Sequence, residues 1–346
     1  MKKRLRIAVL MGGRSPEYNI SLLTGKEVIR NLNSDKYEPI PVVISSKGNW
    51  LLADGQKINP EIVAQEADVV FIALHGPYGE DGVVQGILEF YRVPFTGSGL
   101  LASAIGMNKP IFRQLIKSFN IRFPNFFLVQ QKKTKTFEVL KTSQKFSFNQ
   151  DFSPSFLKKE SIDFNFFKKH LSLPLIIKPA SQGSSIGVSI VAKGPKFLPA
   201  LEKAFKYGST IMVEEFIDGI EVTCGLLGND NPRALPLVEI FTKRKFFDYQ
   251  AKYQPGLSEE IVPARLNKRL AQKIQDVAKT VYQVVGCQGF GRVDMIVKDS
   301  QPYVLEINTI PGLTPNSLFP KAAFAAKISY SKLLDILIKL ALEKKG

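Results

Sequence analysis

Cysteine is scarce in this chain of 346 residues, which contains only Cys224 and Cys287. The two stand far apart, each within an apolar run, so we expect buried, reduced thiols and a cytoplasmic protein rather than a disulfide framework. Long apolar runs are also missing, because none approaches the roughly 18–20 residues that span a bilayer. The apolar part of the basic start, MKKRLRIAVLMGG, is too short for a signal peptide and predicts a first buried strand instead.

Signatures of nucleic-acid binding are absent as well. The net charge of +16 raises that function class as an alternative. The lysines are nevertheless spread along the chain, with no zinc-ligand spacing, no basic-aromatic RNA motif and no basic zipper. The composition therefore favours a solvated basic surface with a few lysines on nucleotide phosphates, and no nucleic-acid or membrane partner. A nucleic-acid-binding protein remains the distant alternative.

Alternating strand and helix patterns fill residues 5–106 and predict an open parallel α/β sheet. Ligands of such sheets bind at the carboxyl ends of the strands, where glycine-containing loops occur at residues 12–17 and 75–82. Glu17 in the first loop could meet an ammonium group, and His75 in the second could orient a carboxylate. For each of these residues, a helix cap or a turn is the alternative interpretation.

The middle of the chain begins with a predicted helix at residues 107–119 and a strand at 126–129. Residues 130–170 are rich in Lys, Phe and Ser and predict an inserted surface segment with a helix near 162–170. A strand–loop–strand pattern follows at 173–191. Its loop, residues 181–187, offers many N–H and O–H donors of the kind that fold over phosphates, and Lys178 stands at the end of the first strand. No Gly-Lys-Ser/Thr follows, so this is not a Walker loop.

Two acids, Glu214 and Glu215, lie inside an apolar strand at residues 211–217, where charged side chains need a reason. Adenine N6 or ribose hydroxyls at an interdomain edge would supply one, and Glu221 follows after a turn. A polar, glycine-terminated loop at 246–256 then carries Lys252 and Tyr253. Loops of this kind often cover ligands.

The most informative pattern is a β-hairpin within residues 289–315, two apolar runs joined by a polar turn at 298–302. Glu306 and Asn308 are two apart on the second strand and so share a face. Pairing of the strands would bring Asp294 to them, with Arg292 on the same face as Asp294. Oxygen ligands of this kind suit Mg²⁺. The alternative is a hairpin with a solvated acidic face.

Several motifs in order, from Gly12 to Pro320, resemble those of the D-alanine–D-alanine ligases of the ATP-grasp superfamily. They are HGPYGEDG, GSG, MNK, IIKPASQGSSIGV, VEEFIDGIEVT, FFDYQAKY, GFGRVDMIV and LEINTIPGLTPNSLFP. The resemblance implies an α/β (α+β), three-domain ATP-grasp fold. It places an N-terminal open parallel α/β domain at 1–106, a central subdomain at 107–213 and a C-terminal subdomain at 214–346. The sequence departs from the family pattern at Asn108, Gln182 and Ile310, where the family usually has Asp, Glu and Ser.

The resemblance also implies the reaction and its residues. ATP would activate one D-alanine as D-alanyl phosphate, and a second would attack to give D-alanyl-D-alanine for peptidoglycan synthesis. Two Mg²⁺ ions, for which Mn²⁺ can substitute, would bind Asp294, Glu306 and Asn308. ATP would meet Lys109, Lys178, Ser185, Glu214, Glu215, Phe216, Glu221 and Lys252. The first D-alanine would meet Glu17 and His75, with Ser184 and Tyr253 closing the site. Arg292 and the Gly312 amide would stabilise the oxyanion. Ser317 and Leu318 would hold the second D-alanine.

The same resemblance implies a homodimer whose partners are otherwise the small molecules D-alanine and ATP. A different ATP-grasp ligase, such as one making D-alanyl-D-lactate or D-alanyl-D-serine, is the alternative. Tyr253 resembles its counterpart in the dipeptide-forming members, which favours an amine as the second substrate.

Overall fold

The computed structural model describes residues 3–131, 137–140, 163–183, 185–242 and 258–344. Three β-sheets follow one another along these residues. Of the predicted site residues, Ser184, Lys252 and Tyr253 lie outside the described part of the chain, as does most of the predicted insert at 130–170. No described helix is long and apolar enough to cross a membrane.

The first sheet has the strand order β3-β2-β1-β4, and β1 pairs in parallel with both β2 and β4. The predicted parallel sheet is thus confirmed for three strands, whereas the short edge strand β3 runs antiparallel to β2 and was not predicted. Beyond β4, Phe95 adds a single parallel bridge to Val70. The elements are β1 (Leu5–Gly12), α1 (Tyr18–Asn31), β2 (Tyr37–Ile44), β3 (Trp50–Leu52), α2 (Pro60–Glu66), β4 (Val69–Ile72), α3 (Val83–Phe90) and α4 (Leu100–Met107).

The helix predicted at 107–119, opened by Asn108, Lys109 and Pro110, is confirmed with bounds two residues shorter at each end, whereas α4 was not predicted. The structure has α4 ending at Met107 and a separate helix, α5 (Lys109–Lys117), beginning after Asn108. Asn108 leaves the helical conformation, and its Oδ1 accepts a hydrogen bond from the amide of Ile111 at 3.2 Å. Asn caps helices as well as Asp does, and Pro110 is tolerated in a first turn but not in a helix interior. Asn108 therefore caps α5 as the family's usual Asp would.

The second sheet is antiparallel, with the order β6-β5-β9-β7-β8. Its helices α6 and α7 cover an apolar face where Phe127, Phe167 and Phe197 are buried together. The helix predicted near 162–170 is confirmed, and α7 was not predicted. The elements are β5 (Phe126–Gln131), β6 (Phe137–Leu140), α6 (Phe164–His170), β7 (Leu175–Pro179), β8 (Ser189–Val191), α7 (Phe197–Phe205) and β9 (Thr210–Glu215).

The third sheet, β13-β12-β10-β14-β15 with β11 beside β10, carries the predicted hairpin as β14 and β15. Helix α8 begins after Asn267, whose Oδ1 accepts from the amide of Leu270 at 2.9 Å. It ends at Gly286, whose φ of +76° suits glycine. The elements are β10 (Ile220–Leu227), β11 (Arg233–Ala234), β12 (Val238–Thr242), β13 (Ser258–Ile261), α8 (Lys268–Val285), β14 (Phe290–Lys298), β15 (Gln301–Asn308), α9 (Leu318–Ala325) and α10 (Tyr330–Glu343).

Helix α10, near the end of the chain, packs against the first sheet. Leu333 and Leu337 of α10 belong to the same buried cluster as the residues of β1 and β4. Ile310, at the position where the resemblance expects Ser, is 2% exposed and joins this cluster. The loop that follows the hairpin is therefore held against the first sheet, whose loops carry Glu17 and His75.

Candidate active site

The hairpin presents its polar side chains as two directly opposed pairs. Asp294 lies opposite Glu306, and Arg292 lies opposite Asn308. Directly opposed residues of antiparallel strands have Cβ atoms about 4.5–5.5 Å apart. The two strands are joined by Asp299 and Ser300, both with positive φ, as a tight two-residue hairpin turn requires. The predicted shared face of the four side chains is confirmed.

Asp294 is the hub of this face. Its carboxylate accepts from the Thr223 hydroxyl at 2.7 Å and from Asn308 Nδ2 at 2.9 Å. Arg292 donates to both of its oxygens, each at 2.8 Å. Although burial by itself lowers the pKa of Arg292, the facing Asp294 carboxylate raises it above its ordinary value. The guanidinium is therefore charged at every accessible pH.

The chemistry of the hairpin donors fits a hard cation. Asp294 and Glu306 oppose one another, and each already faces a positive side chain, since Lys109 Nζ lies 3.1 Å from Glu306. Two carboxylates with the amide of Asn308 are oxygen ligands of the type Mg²⁺ prefers. Among the described residues no group of three acidic, histidine or cysteine side chains is placed to hold a metal. Any ion here would thus rely on the amide and on non-protein oxygens.

One pocket beside the hairpin, which we call the sheet-walled pocket, lies between the second and third sheets. All described residues of the predicted ATP set line it, and apolar side chains fill the gaps between them. Its lining includes Lys109, Ile176, Lys178, Ser185, Val188, Glu214, Glu215, Phe216, Ile217, Glu221, Ile296 and Leu305. An apolar slot with charged ends suits a planar base joined to phosphates.

A buried ion cluster lies at the wall of this pocket. Glu214 is 1% exposed, and its two oxygens lie 2.5 Å from Lys178 Nζ and from Arg113 Nη1. Burial alone raises the pKa of Glu214, but the two cations outweigh it and hold the pKa below its ordinary value. Burial also lowers the pKa of Lys178, against the opposing pull of Glu214. The sequence analysis did not identify Arg113, although an acid inside an apolar strand signals a missing cation.

Glu215 is engaged differently from its neighbour. Its Oε1 accepts from both the backbone and the side-chain amide of Asn125, at 2.9 and 2.8 Å. These bonds tie the end of β9 to the residue that precedes β5. In this structure the Glu215 carboxylate therefore holds two strands together at the rim of the sheet-walled pocket.

A second pocket, the loop-walled pocket, shares the hairpin with the first. The loops of the first sheet and the start of α9 complete it. Its lining includes Glu17, Leu23, Thr24, His75, Glu80, Glu221, Glu260, Arg292, Asp294, Glu306, Asn308, Gly312, Thr314, Ser317 and Leu318. All described residues that were predicted to meet the amino acids are thus brought together.

The two loops of the first sheet are packed closely. Glu17 occupies the cap position of α1, yet its side chain makes no cap hydrogen bond, so the cap interpretation of its carboxylate is wrong. Gly76 fits against it because a Cβ there would lie 2.6 Å from Glu17 Oε2. His75 is 5% exposed, with Nε2 2.9 Å from Thr24 Oγ1 and Nδ1 3.4 Å from Glu80 Oε1. Neither contact was predicted, because Thr24 meets His75 only through the packing of α1 and Glu80 meets it only through the folding of their shared loop.

The opposite wall is the start of α9. Ser317 stands at the cap position without a side-chain cap bond, and its hydroxyl lies 2.8 Å from that of Thr314. Gly312 packs closely against this serine, since a Cβ would lie 2.9 Å from Ser317 Oγ. A helix N-terminus with free amide donors suits a carboxylate. The pocket therefore has an anionic wall at Glu17 and a donor-rich wall at α9.

Comparison with known proteins gives consistent matches over the chain. Residues 6–65 and 53–98 match the family described as D-ala D-ala ligase N-terminus. Residues 151–339 match the family described as D-ala D-ala ligase C-terminus.

Full-length relatives carry the same description. The D-alanine–D-alanine ligase of Desulforamulus reducens is 40% identical over 340 residues, covering 98% of this chain and 99% of the relative. That of Bacillus anthracis is 36% identical over 339 residues, covering 98% and 97%.

Solved structures agree with the sequence relatives. The Bacillus anthracis D-alanine–D-alanine ligase complexed with ATP superposes with a TM-score of 0.74 at 33% identity, covering 98% of this chain and 97% of that one. The VanG D-Ala:D-Ser ligase of Enterococcus faecalis superposes with a TM-score of 0.79 at 30% identity, covering 98% and 100%. The two neighbours differ in the second amino acid that their names give.

Proposed function

This chain belongs to the D-alanine–D-alanine ligase family, and on that premise we propose that it joins two D-alanine molecules to D-alanyl-D-alanine with consumption of ATP, for peptidoglycan synthesis. The observation that carries the proposal is the shared hairpin. Asp294 and Glu306 line both the sheet-walled and the loop-walled pocket. A nucleotide in one pocket and amino acids in the other would therefore meet at these carboxylates.

The sheet-walled pocket is proposed to bind ATP with the adenine toward Glu214 and Phe216 and the ribose toward Glu221. Lys109, Lys178 and Ser185 would face the phosphates, with Lys252 closing from outside the described residues. Asp294, Glu306 and Asn308 would hold two Mg²⁺ ions, or Mn²⁺ in their place. The ions would neutralise charge on the phosphates during transfer.

The loop-walled pocket is proposed to bind the ammonium group of the first D-alanine at Glu17, assisted by His75. The γ-phosphoryl group of ATP would pass to the carboxylate of this D-alanine, giving D-alanyl phosphate and ADP. Placing that carboxylate at the hairpin would bring it to Arg292, whose charge is fixed by Asp294.

The second D-alanine is proposed to lie at the start of α9, with its carboxylate on Ser317 and Leu318. Its amine would attack the acyl phosphate, and Arg292 with the Gly312 amide would stabilise the oxyanion before phosphate leaves. Loss of one such donor costs roughly 10²–10³ in rate in other enzymes. Ser184 and Tyr253, both outside the described residues, would close the site and exclude water, because water hydrolyses acyl phosphates.

The second substrate is the finer part of the proposal. Because the chain is similar to a D-Ala:D-Ser ligase, D-serine is an alternative second substrate, and D-lactate is a further alternative. We propose D-alanine, on the full-length relatives and on the Tyr253 resemblance. Product analysis with D-alanine, D-serine and D-lactate in competition at neutral pH decides this point, and a dominant depsipeptide or D-alanyl-D-serine product would contradict it.

Domain division, assembly and location complete the proposal. The three sheets support domains at 1–106, 107–213 and 214–346, although β9 places Glu214 and Glu215 on the second sheet. The family resemblance supports a homodimer, which sedimentation would measure. Burial raises the pKa of the Cys224 and Cys287 thiols to about 12, which supports unreactive thiols in a reducing cytoplasm.

The experiment that tests the proposed function compares ADP formation with D-alanine against L-alanine, in the presence of ATP and Mg²⁺. We expect turnover only with D-alanine and a product of two D-alanine residues. Equal ADP formation with other amino acids would favour a different ATP-grasp ligase. Salt-sensitive RNA retention, with no ATP turnover under any amino acid, would favour a nucleic-acid-binding protein.

A further inference from the structure

Arg113 is a charged side chain without any exposed surface. It belongs to α5, one turn after Lys109, so the two cations project from the same face of the helix. Lys109 reaches Glu306 at the metal end of the sheet-walled pocket. Arg113 itself does not line either pocket. Any role in the reaction must therefore act through its neighbours.

The guanidinium is held by groups from three parts of the chain. Nη1 pairs with Glu214 at 2.5 Å and donates to the Pro124 carbonyl at 3.3 Å, and Nη2 donates to the Leu305 carbonyl at 3.3 Å. The rings of Phe123 and Phe126 lie 5.8 and 5.2 Å from its central carbon. Its Nε has no hydrogen-bond partner. A buried cation is tolerated only with such pairing, so the site is built around this charge.

These contacts join two functional elements. Glu214 faces the base end of the pocket, and Leu305 immediately precedes Glu306 on β15. The second cation on Glu214, Lys178, lines the pocket and is partly accessible there, with 12% of its side chain exposed. Arg113, by contrast, is fully buried and lines neither pocket, so its guanidinium pairs with Glu214 away from any group that the pocket would hold.

We propose that Arg113 is a positioning residue that keeps Glu214 as a fixed, ionised hydrogen-bond acceptor, and thereby makes the pocket prefer a purine with an exocyclic amine over one with a carbonyl at that position. The inference rests on the proposed function in one respect, that the sheet-walled pocket holds the nucleotide. It adds a specificity determinant in α5, outside the pocket lining.

The physical basis is the cost of leaving a carboxylate alone in the interior. A buried, unpaired carboxyl takes up a proton. A protonated carboxyl accepts a carbonyl base as readily as an amine base, because it carries a donor of its own. The charged groups facing Glu214 are Arg113 from α5 and Lys178 from β7, with Lys109 acting in turn on Lys178. Of these two cations only Arg113 lies outside the pocket lining, so it opposes protonation of Glu214 whether or not a ligand interacts with Lys178.

The test measures binding of ATP and of inosine triphosphate by calorimetry, without amino acid, at pH 8 and pH 6.5. For Arg113→Met we expect ATP affinity to fall about tenfold or more, and the preference for ATP over inosine triphosphate to collapse. The loss should be greater at pH 6.5, because Glu214 then takes up a proton. Arg113→Lys keeps the charge but cannot bridge Glu214 and Leu305 together. The preference of this variant for ATP over inosine triphosphate should therefore lie between those of the wild type and Arg113→Met, and should depend less on pH than that of Arg113→Met. Arg269→Met removes an exposed arginine on α8 and should match the wild type.

The outcomes separate this inference from the function itself. A wild-type ratio of ATP to inosine triphosphate affinity in Arg113→Met at both pH values overturns the inference, even if the variant unfolds at a lower temperature. Should Arg113→Met fail to fold, a wild-type ratio in Arg113→Lys overturns it and a reduced ratio supports it. A wild-type protein that binds neither nucleotide would instead contradict the proposed function.

Discussion

The two pockets on either side of the hairpin are built in different ways. In the sheet-walled pocket the polar side chains come mostly from paired strands, and Glu214 and Lys178 neutralise each other within it. In the loop-walled pocket they come from loops of the first sheet and from the start of α9. Strand register fixes the first set locally, whereas the second set depends on packing between distant segments. The hairpin carboxylates belong to both.

The largest effect should come from the residues that the pockets share. We expect Asp294→Ala or Glu306→Ala to lower D-alanine-dependent ADP formation by at least about 10²-fold, because each removes a proposed metal ligand. Circular dichroism should show a folded protein in each case. Glu202→Ala, an exposed acid on α7, serves as the matched control and should retain activity. Undiminished turnover in both hairpin variants would refute the metal assignment.

A smaller effect should separate the pockets from each other. We expect Glu17→Gln to raise the KM for the first D-alanine about tenfold or more, since a charged hydrogen bond to the ammonium is lost. The KM for ATP should change less than about twofold, because Glu17 does not line the sheet-walled pocket. Steady-state kinetics with each substrate varied in turn measure both values. Glu61→Gln, on the first turn of α2, is the control.

If the KM for ATP rose in parallel with that for D-alanine in Glu17→Gln, the two pockets would not be separable. The assignment of Glu17 to the amino acid would then fail. The result would also argue that the loops of the first sheet act on the hairpin as a whole.

The sequence predicts more of the sheet-walled pocket than of the loop-walled pocket, because strand register is a local signal and packing between distant segments is not. The hairpin register follows from a period of two on each strand and a tight turn, which are local signals. Glu214 was identified as needing a partner, since it interrupts an apolar strand. Its partner Arg113 is 101 positions earlier, and nothing in the local pattern of α5 marks that arginine as buried.

Contacts that local sequence patterns do not reveal are more frequent in the loop-walled pocket. His75 was recognised from its glycine-rich loop, but its contact with Thr24 depends on the packing of α1, and its contact with Glu80 depends on the folding of the loop. Helix α4 was missed because its apolar run lacks a polar cap before it, whereas Asn108 and Pro110 signalled the start of α5 locally. Long-range packing and weak caps thus account for what the sequence did not predict.

The interaction that holds His75 should give an effect smaller still. We expect Thr24→Val to lower kcat/KM for D-alanine by about 2–10-fold, the value of one neutral hydrogen bond. The loss should appear with D-alanine varied and not with ATP varied. Thr280→Val removes a hydroxyl from the exposed face of α8 and is the matched control. An unchanged kcat/KM would mean that His75 is positioned by Glu80 alone.

The smallest effect should lie outside both pockets and touch stability alone. Lys344 follows α10, and its Nζ donates to the carbonyls of Phe95 and Gly97 above the Phe95 ring. Burial lowers its pKa to about 7, against a weaker opposing effect of Glu89. Since an unfolded lysine titrates near 10.4, the unfolded chain binds more protons between these values. Stability should therefore rise with pH across this window and fall as the pH drops toward 7.

Lys344→Met should remove that dependence, because a neutral side chain of similar length keeps the packing on Phe95. We expect the Tm difference between wild type and Lys344→Met to shift by about 4 °C between pH 7 and pH 9.5, in favour of the wild type at the higher pH. Lys339→Met, an exposed lysine on α10, should show no such shift. Because Lys344 lines neither pocket, both KM values should stay unchanged. A change in either KM would show that the chain end, held against the first sheet, acts on the loops that carry Glu17 and His75.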